Sequence, residues 1–117
     1  MLSTTLLLGN LGGEPEIKQA GDGRVAKFRV ATDESWIDRR SGERKKKTTW
    51  HFVEVWKAGV IDALEGLQKG DAVVVHGIIQ QSRYEENGET KYNHTIAVKG
   101  WDHFVASNLY VGRDAED

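Results

Sequence analysis

Apolar and polar residues alternate along this chain in two rhythms, one of period two and one near period 3.6. Thr4 to Leu8 is an apolar run that ends in Gly9-Asn10-Leu11-Gly12-Gly13, which predicts a strand and then a turn. Gly21-Asp22-Gly23 marks a second turn. After it Ala26, Phe28 and Val30 alternate with Lys27 and Arg29, the period of a half-buried strand. Thr48 to Lys57 predicts a third strand, with Trp50, Phe52, Glu54 and Trp56 on one face and His51, Val53, Val55 and Lys57 on the other. Val60, Ile61, Leu64 and Leu67 form one helical stripe. Lys69 would face the C-terminal end of its dipole, and Gly70 would take the C′ position. Val73-Val74-Val75 and Ile78-Ile79 predict a strand buried on both faces, reaching Arg83-Tyr84. Asn87-Gly88 predicts a type I′ hairpin. It returns as Lys91 to Lys99, with Tyr92, His94, Ile96 and Val98 sharing a face.

Five strands with one helix between the third and fourth predict an all-β Greek-key barrel, the OB-fold. The length of 117 residues allows one domain, taken as residues 1–111, with a short acidic tail over 112–117. Within 101–111, Trp101, Phe104, Leu109 and Tyr110 call either for an extra strand or for packing on a neighbouring subunit. Sixteen basic against 18 acidic residues give a net charge of −2, which excludes a protein that holds polyanions by bulk charge. There is no Cys, so disulfides and thiolate chemistry are excluded, as a reducing compartment would suit. Leu6-Leu7-Leu8 is far too short for a signal core or a membrane span.

Nothing in the sequence asks for an enzyme. The four His, at 51, 76, 94 and 103, lack metal-ligand spacing. The serines lack a nucleophile setting, and Gly9-Asn10-Leu11-Gly12 is a turn, unlike any nucleotide fingerprint. No cofactor and no metal are expected.

The aromatic residues carry more information. Trp36 stands among polar residues at the start of a basic excursion. The excursion, residues 39–47, holds six positive charges and one negative. That run is either a solvated loop tip or a phosphate-tracking surface. Trp50, Trp56 and Tyr84 either fill the barrel or stand outside it as flat rings on which unpaired bases stack.

Four segments then carry a resemblance: Gly9-Asn10-Leu11-Gly12 with Pro15-Glu16, Ala31-Thr32-Asp33-Glu34-Ser35-Trp36, Thr49-Trp50-His51, and Leu67-Gln68-Lys69-Gly70. Together, and in that order across about residues 3 to 99, the chain resembles the bacterial single-stranded DNA-binding proteins. The resemblance implies an OB-fold that assembles as a homo-oligomer, a tetramer in most of the family. It implies a protein that binds and protects single-stranded DNA in replication, recombination or repair, in the cytoplasm with the nucleoid. Trp36 and Trp50 match two stacking Trp of the family; Trp56 and Tyr84 fall where it often has a stacking Phe and a Trp. Lys18, Lys69 and Arg83 match usually basic positions near the DNA path, and His51 matches a His at a subunit contact. Lys27, Arg29 and Lys57 are this chain's own outward-facing additions, and from the run 39–47 Lys45 is counted among the contacts. Phe52 stands where the family is usually basic, and either stacks or packs. Gln80, Gln81 and Ser82 are neutral where the family's second hairpin stem is commonly basic. The end, Arg113-Asp114-Ala115-Glu116-Asp117, is acidic but lacks the family's linker and Pro-Phe tip, as either a short variant or a truncated chain would, so tail-mediated recruitment of replication or repair partners is not expected of this sequence. The alternative is an OB-fold adaptor that uses 101–111 to join a replication or conjugation complex and touches DNA only weakly.

Overall fold

A computed structural model describes residues 2–107. Leu109, Tyr110 and the acidic tail lie outside the described residues. Seven strands and one short helix follow in the order β1 (Thr5–Leu11), β2 (Glu16–Ala20), β3 (Gly23–Ile37), β4 (Arg44–Val55), α1 (Ala58–Ala63), β5 (Ala72–Glu86), β6 (Glu89–Val98) and β7 (Phe104–Ser107). β1 pairs with both β3 and β5, so the hydrogen-bonded path β1–β3–β4–β6–β5 returns to β1. β4 and β6 run parallel, while the other pairs in that path are antiparallel. These five are the barrel strands that the sequence pattern predicts, and the arrangement is an OB-fold.

The core follows from the alternation. Ala26, Phe28 and Val30 of β3, Val53 and Val55 of β4, Val73 and Val75 of β5, and Ile96 and Val98 of β6 all point inward and are buried. β-branched residues dominate because they suit the pleated wall of a small barrel.

In and around the barrel, three places add to or change the sequence expectation. β2 pairs with the start of β3, from Glu16↔Lys27 to Ala20↔Gly23. Its single strongly apolar residue, Ile17, gave no readable alternation. β7 pairs with β5, so the extra-strand alternative holds for Phe104–Ser107. The third is the helix, which has six residues and ends at Ala63. Beyond it the chain continues in tight turns: Leu64 N–H donates to the Ile61 carbonyl (3.0 Å) and Leu67 N–H to that of Leu64 (3.2 Å). Ile61, Leu64 and Leu67 recur every third residue, which suits three residues per turn, and all three reach the core. Lys69 is therefore not at a helix terminus. Gly70 has the expected positive φ of 93°, but its N–H docks on the Leu11 carbonyl of β1 (2.8 Å) and caps no helix.

Both long hairpins extend well past the barrel. β3 and β4 stay paired from Ala26↔Val55 out to Ile37↔Arg44, so residues 33–37 and 44–47 are ribbon strand and not loop. At their tip Asp38 Oδ1 accepts from Arg40 N–H (2.8 Å) and Gly42 sits at φ 71°. The β5–β6 hairpin turns on Asn87 (φ 54°) and Gly88 (φ 80°), the left-handed pair that a type I′ turn requires.

Ile61 is fully buried. Ile61→Ala should cost about 2–5 kcal/mol in urea unfolding, through lost burial and an unfilled cavity. A loss below about 1 kcal/mol would mean that α1 does not plug the barrel.

Candidate nucleic-acid interface

β4 divides its side chains between two environments. Val53 and Val55 go into the core, while Trp50 and Phe52 stand on the outer face at 45% and 54% exposure; Trp56, one residue past the strand, is 45% exposed. Trp36 and Tyr84 are 48% and 40% exposed. None of the four predicted rings fills the barrel.

The rings sit on different surfaces. Trp50 is paired with Ala31 and Phe52 with Arg29, and successive residues of β4 alternate faces. Lys27, Arg29, Trp50 and Phe52 therefore share the outer face. A groove of about 490 Å³ runs along it, lined by Lys27, Arg29, Phe52, Asn93 and His94, with Gly13 and Glu14 at one side. Tyr84, opposite Lys91, has the same facing further along β5 and β6. Trp36 pairs with Lys45 on the reverse face of the β3–β4 ribbon. A strand that touched both Trp50 and Trp36 would have to pass around that ribbon.

Trp50 is held in place. The Arg29 guanidinium carbon lies 4.8 Å from the centre of its ring, a cation–π contact. Gly12 lies beneath its edge: a Cβ there would come 2.5 Å from Cζ3 and 3.1 Å from Cη2. Gly12 thus positions the indole. The sequence pattern offered it only as turn punctuation, since nothing local in the chain signals a contact across 38 residues. Phe52 is the other ring missing from the expected contacts; its place between Trp50 and Trp56 was legible in the alternation, but its role was left open there.

The cations are distributed unequally. Lys27 and Arg29 are exposed beside the groove, and Lys69 is exposed in the turns after α1. Lys18 pairs with Glu16 (3.1 Å) and Lys45 approaches Glu43 (3.7 Å), both at the surface, where such pairs yield readily. Arg83 lies opposite Tyr92 on the reverse face from Tyr84. Lys57 differs from the rest, because its Nζ donates to the carbonyls of His103 (2.8 Å) and Trp101 (3.3 Å).

The ribbon has its own electrostatic latch. Thr48 Oγ1 donates to Asp33 Oδ1 (2.6 Å), and Lys46 Nζ is 3.5 Å from Oδ2. The Thr48 hydrogen bond is the main cause that holds the Asp33 carboxyl below its ordinary value; desolvation opposes it and the Lys46 charge adds to it. His51 Nε2 lies 2.8 Å from Thr32 Oγ1 and is half-buried at one end of the barrel. A second cavity of about 290 Å³ opens beside it, lined by Thr5, Leu7, Trp50, Ile79 and Ile96. Among the described residues no three His, Asp or Glu side chains converge to hold a metal ion, and no helix is long and apolar enough to cross a membrane.

Comparison with known proteins adds to this geometry. The family model described as the single-strand binding protein family matches residues 2–104. The chain is 36% identical over 104 residues to a single-stranded DNA-binding protein of Rhizobium meliloti (strain 1021), covering 86% of this chain and 60% of that one. It is 32% identical to a protein of the same description from Rickettsia felis, covering 86% and 68%. The chain thus spans about three fifths to two thirds of these relatives' length. Among solved structures it is similar to the Plasmodium falciparum SSB in complex with ssDNA, with a TM-score of 0.81, 32% identity, and coverage of 92% and 95%.

Two outcomes test the site geometry. Gly12→Ala should displace the Trp50 ring and shift its indole N–H resonance; an unmoved resonance would show that Gly12 does not seat it. A lowered carboxyl pKa contributes stability that is full above the ordinary Asp range and is lost as pH falls through the lowered value. Thr48→Val should return the Asp33 midpoint upward in a carboxyl-carbon NMR titration; an unchanged midpoint would remove Thr48 as the cause.

Proposed function

From the premise that the chain belongs to the single-strand binding protein family, we propose that it binds and protects single-stranded DNA with little sequence preference. The reading rests on one observation above the rest: Trp50 and Phe52 stand on the outer face of β4 beside Lys27 and Arg29, with Trp56 exposed one residue past the strand. Every base has a π-face, so stacking on such rings holds unpaired DNA of any sequence. Duplex DNA hides those faces and is excluded. Lys27 and Arg29 line the groove for phosphates, and Lys18, Lys45, Lys69 and Arg83 extend the positive field outward. Trp36 with Lys45, and Tyr84 with Lys91, make stacking surfaces on the two hairpins. Lys57 serves by holding the turn after β6. The function is one of binding, with no covalent step, and belongs where unpaired DNA forms, in the cytoplasm with the nucleoid.

A homo-oligomer is part of the same reading. β1 meets β3 only at Asn10 and Leu11, so the edge of Thr5–Leu8 on that side has no strand beside it among the described residues. Leu6 and Leu8 are 67% and 71% exposed, and His51 and the second cavity lie at the same end of the barrel. An open edge flanked by uncovered leucines is suited to pairing with a second copy. His51 falls at that contact, and a pair of such dimers makes the tetramer.

Trp50→Ala and Phe52→Ala should each weaken oligo-dT binding by about 1–3 kcal/mol in a fluorescence titration. The slope of log K against log salt should be about −0.7 per phosphate neutralised. Wild-type affinity in both variants would remove the β4 face from the site, and a chain that ignored oligo-dT at near-physiological salt would favour the adaptor.

A further inference from the structure

The turn between β6 and β7 presents the most exposed large apolar side chain among the described residues, Trp101 at 94%. Its backbone is nevertheless pinned. His103 is buried; its Nδ1 accepts from the N–H groups of Lys99 (3.1 Å) and Gly100 (2.8 Å), and its own N–H donates to the Gly100 carbonyl (3.1 Å). Lys57 Nζ clamps the carbonyls of Trp101 and His103 from the side. His76 Nδ1, 3.0 Å from the Asp102 carbonyl oxygen, fixes the turn to β5, and the rings of His76 and His103 meet edge to face at 5.4 Å. An indole can bury about 150–250 Å². A turn held this firmly keeps that ring in solvent, where it is free to meet a partner.

The place of the turn says what covers it. Val55 of β4 and Val98 of β6 are in register, and Trp56 N–H donates to the Val98 carbonyl (2.9 Å). Residues 56–57 and 99–101 therefore leave the barrel side by side. Trp50 and Phe52 of β4 and Trp56 just past its end span about 20 Å of extended chain at 3.3 Å per residue. Trp101 follows Val98 by three residues as Trp56 follows Val55 by one, and its carbonyl accepts from Lys57, the residue after Trp56; the exposed Lys99 lies between Val98 and Trp101. Its chain neighbours Lys99, Gly100 and Asp102 are charged or lack a side chain, which suits a phosphate-bearing partner better than an apolar one.

Resting on the function proposed above, we infer that Trp101 is a further base-stacking platform. It receives the single strand as that strand runs off the end of β4, with Lys99 against the adjoining phosphate, and Lys57 and His103 as positioning residues.

The test uses the full chain, oligo-dT of about 35 nucleotides, and 5-iododeoxyuridine placed through the oligomer for photocrosslinking. Trp101→Ala should lower affinity roughly 5–100-fold. Trp101→Phe should restore most of it, and peptide mapping should find an adduct on Trp101. If Trp101→Ala binds like the parent while Trp50→Ala is weakened, the inference fails and the β4 site stands. If neither variant is weakened, the function proposed above fails, and this inference fails with it. Loss of affinity without an adduct, accompanied by a change in sedimentation, would assign Trp101 to a contact between protein chains and overturn the inference.

Discussion

β4 cannot bury both of its faces in a barrel this small, and the rest of the molecule depends on how it divides them. Its odd-numbered positions Val53 and Val55 close the core, so its even-numbered positions 50 and 52 must face away from it, and Trp56, one residue past the strand, is exposed as well. The strand that holds the barrel together is therefore also the one that displays the rings. A one-residue slip against β3 would put indoles into the core and valines into water, so burial of the valines and display of the rings select the same register. The neighbours reinforce it: Arg29 lies over Trp50, and Gly12 leaves the room the ring needs.

Net charge gives little guide to where a polyanion can lie. The chain as a whole carries −2. Yet the outer face of β3 brings Lys27 and Arg29 to the groove, and the ribbon beyond it carries Arg44 to Lys47, while Glu85, Glu86 and Glu89 gather at the tip of the other hairpin. The β3–β4 arm over 33–47 carries six basic against four acidic residues, and the β5–β6 arm over 83–91 two against three. At physiological salt the field reaches only about 8 Å, so local arrangement outweighs the sum.

The barrel strands were legible in the sequence because alternation is a strong signal when one face is buried: Ala26, Phe28 and Val30 announce β3 unaided. The outer-face grouping of Trp50 and Phe52 was legible for the same reason. β2 was not, since five residues with one strongly apolar side chain have no readable period. The helix was read too long, because Ile61, Leu64 and Leu67 fit a helical stripe as well as a run of three-residue turns. Gly12 beneath Trp50, the Lys57 clamp and the His103 turn were out of reach. Each joins residues far apart in the chain or depends on a backbone group that no side-chain pattern records. The facing of Trp36 was equally hidden, because it depends on the pairing with Lys45 that only the extended ribbon supplies.

The proposed use of the outer rings of β4 is to meet the flat faces of bases that have no partner. The most direct measurement is the intrinsic tryptophan emission of the full chain, titrated at near-physiological salt with oligo-dT and, in parallel, with duplex DNA of equal length. Strong quenching by the single strand and little change with the duplex is the predicted result. An equal response to both, or none to either, would contradict it.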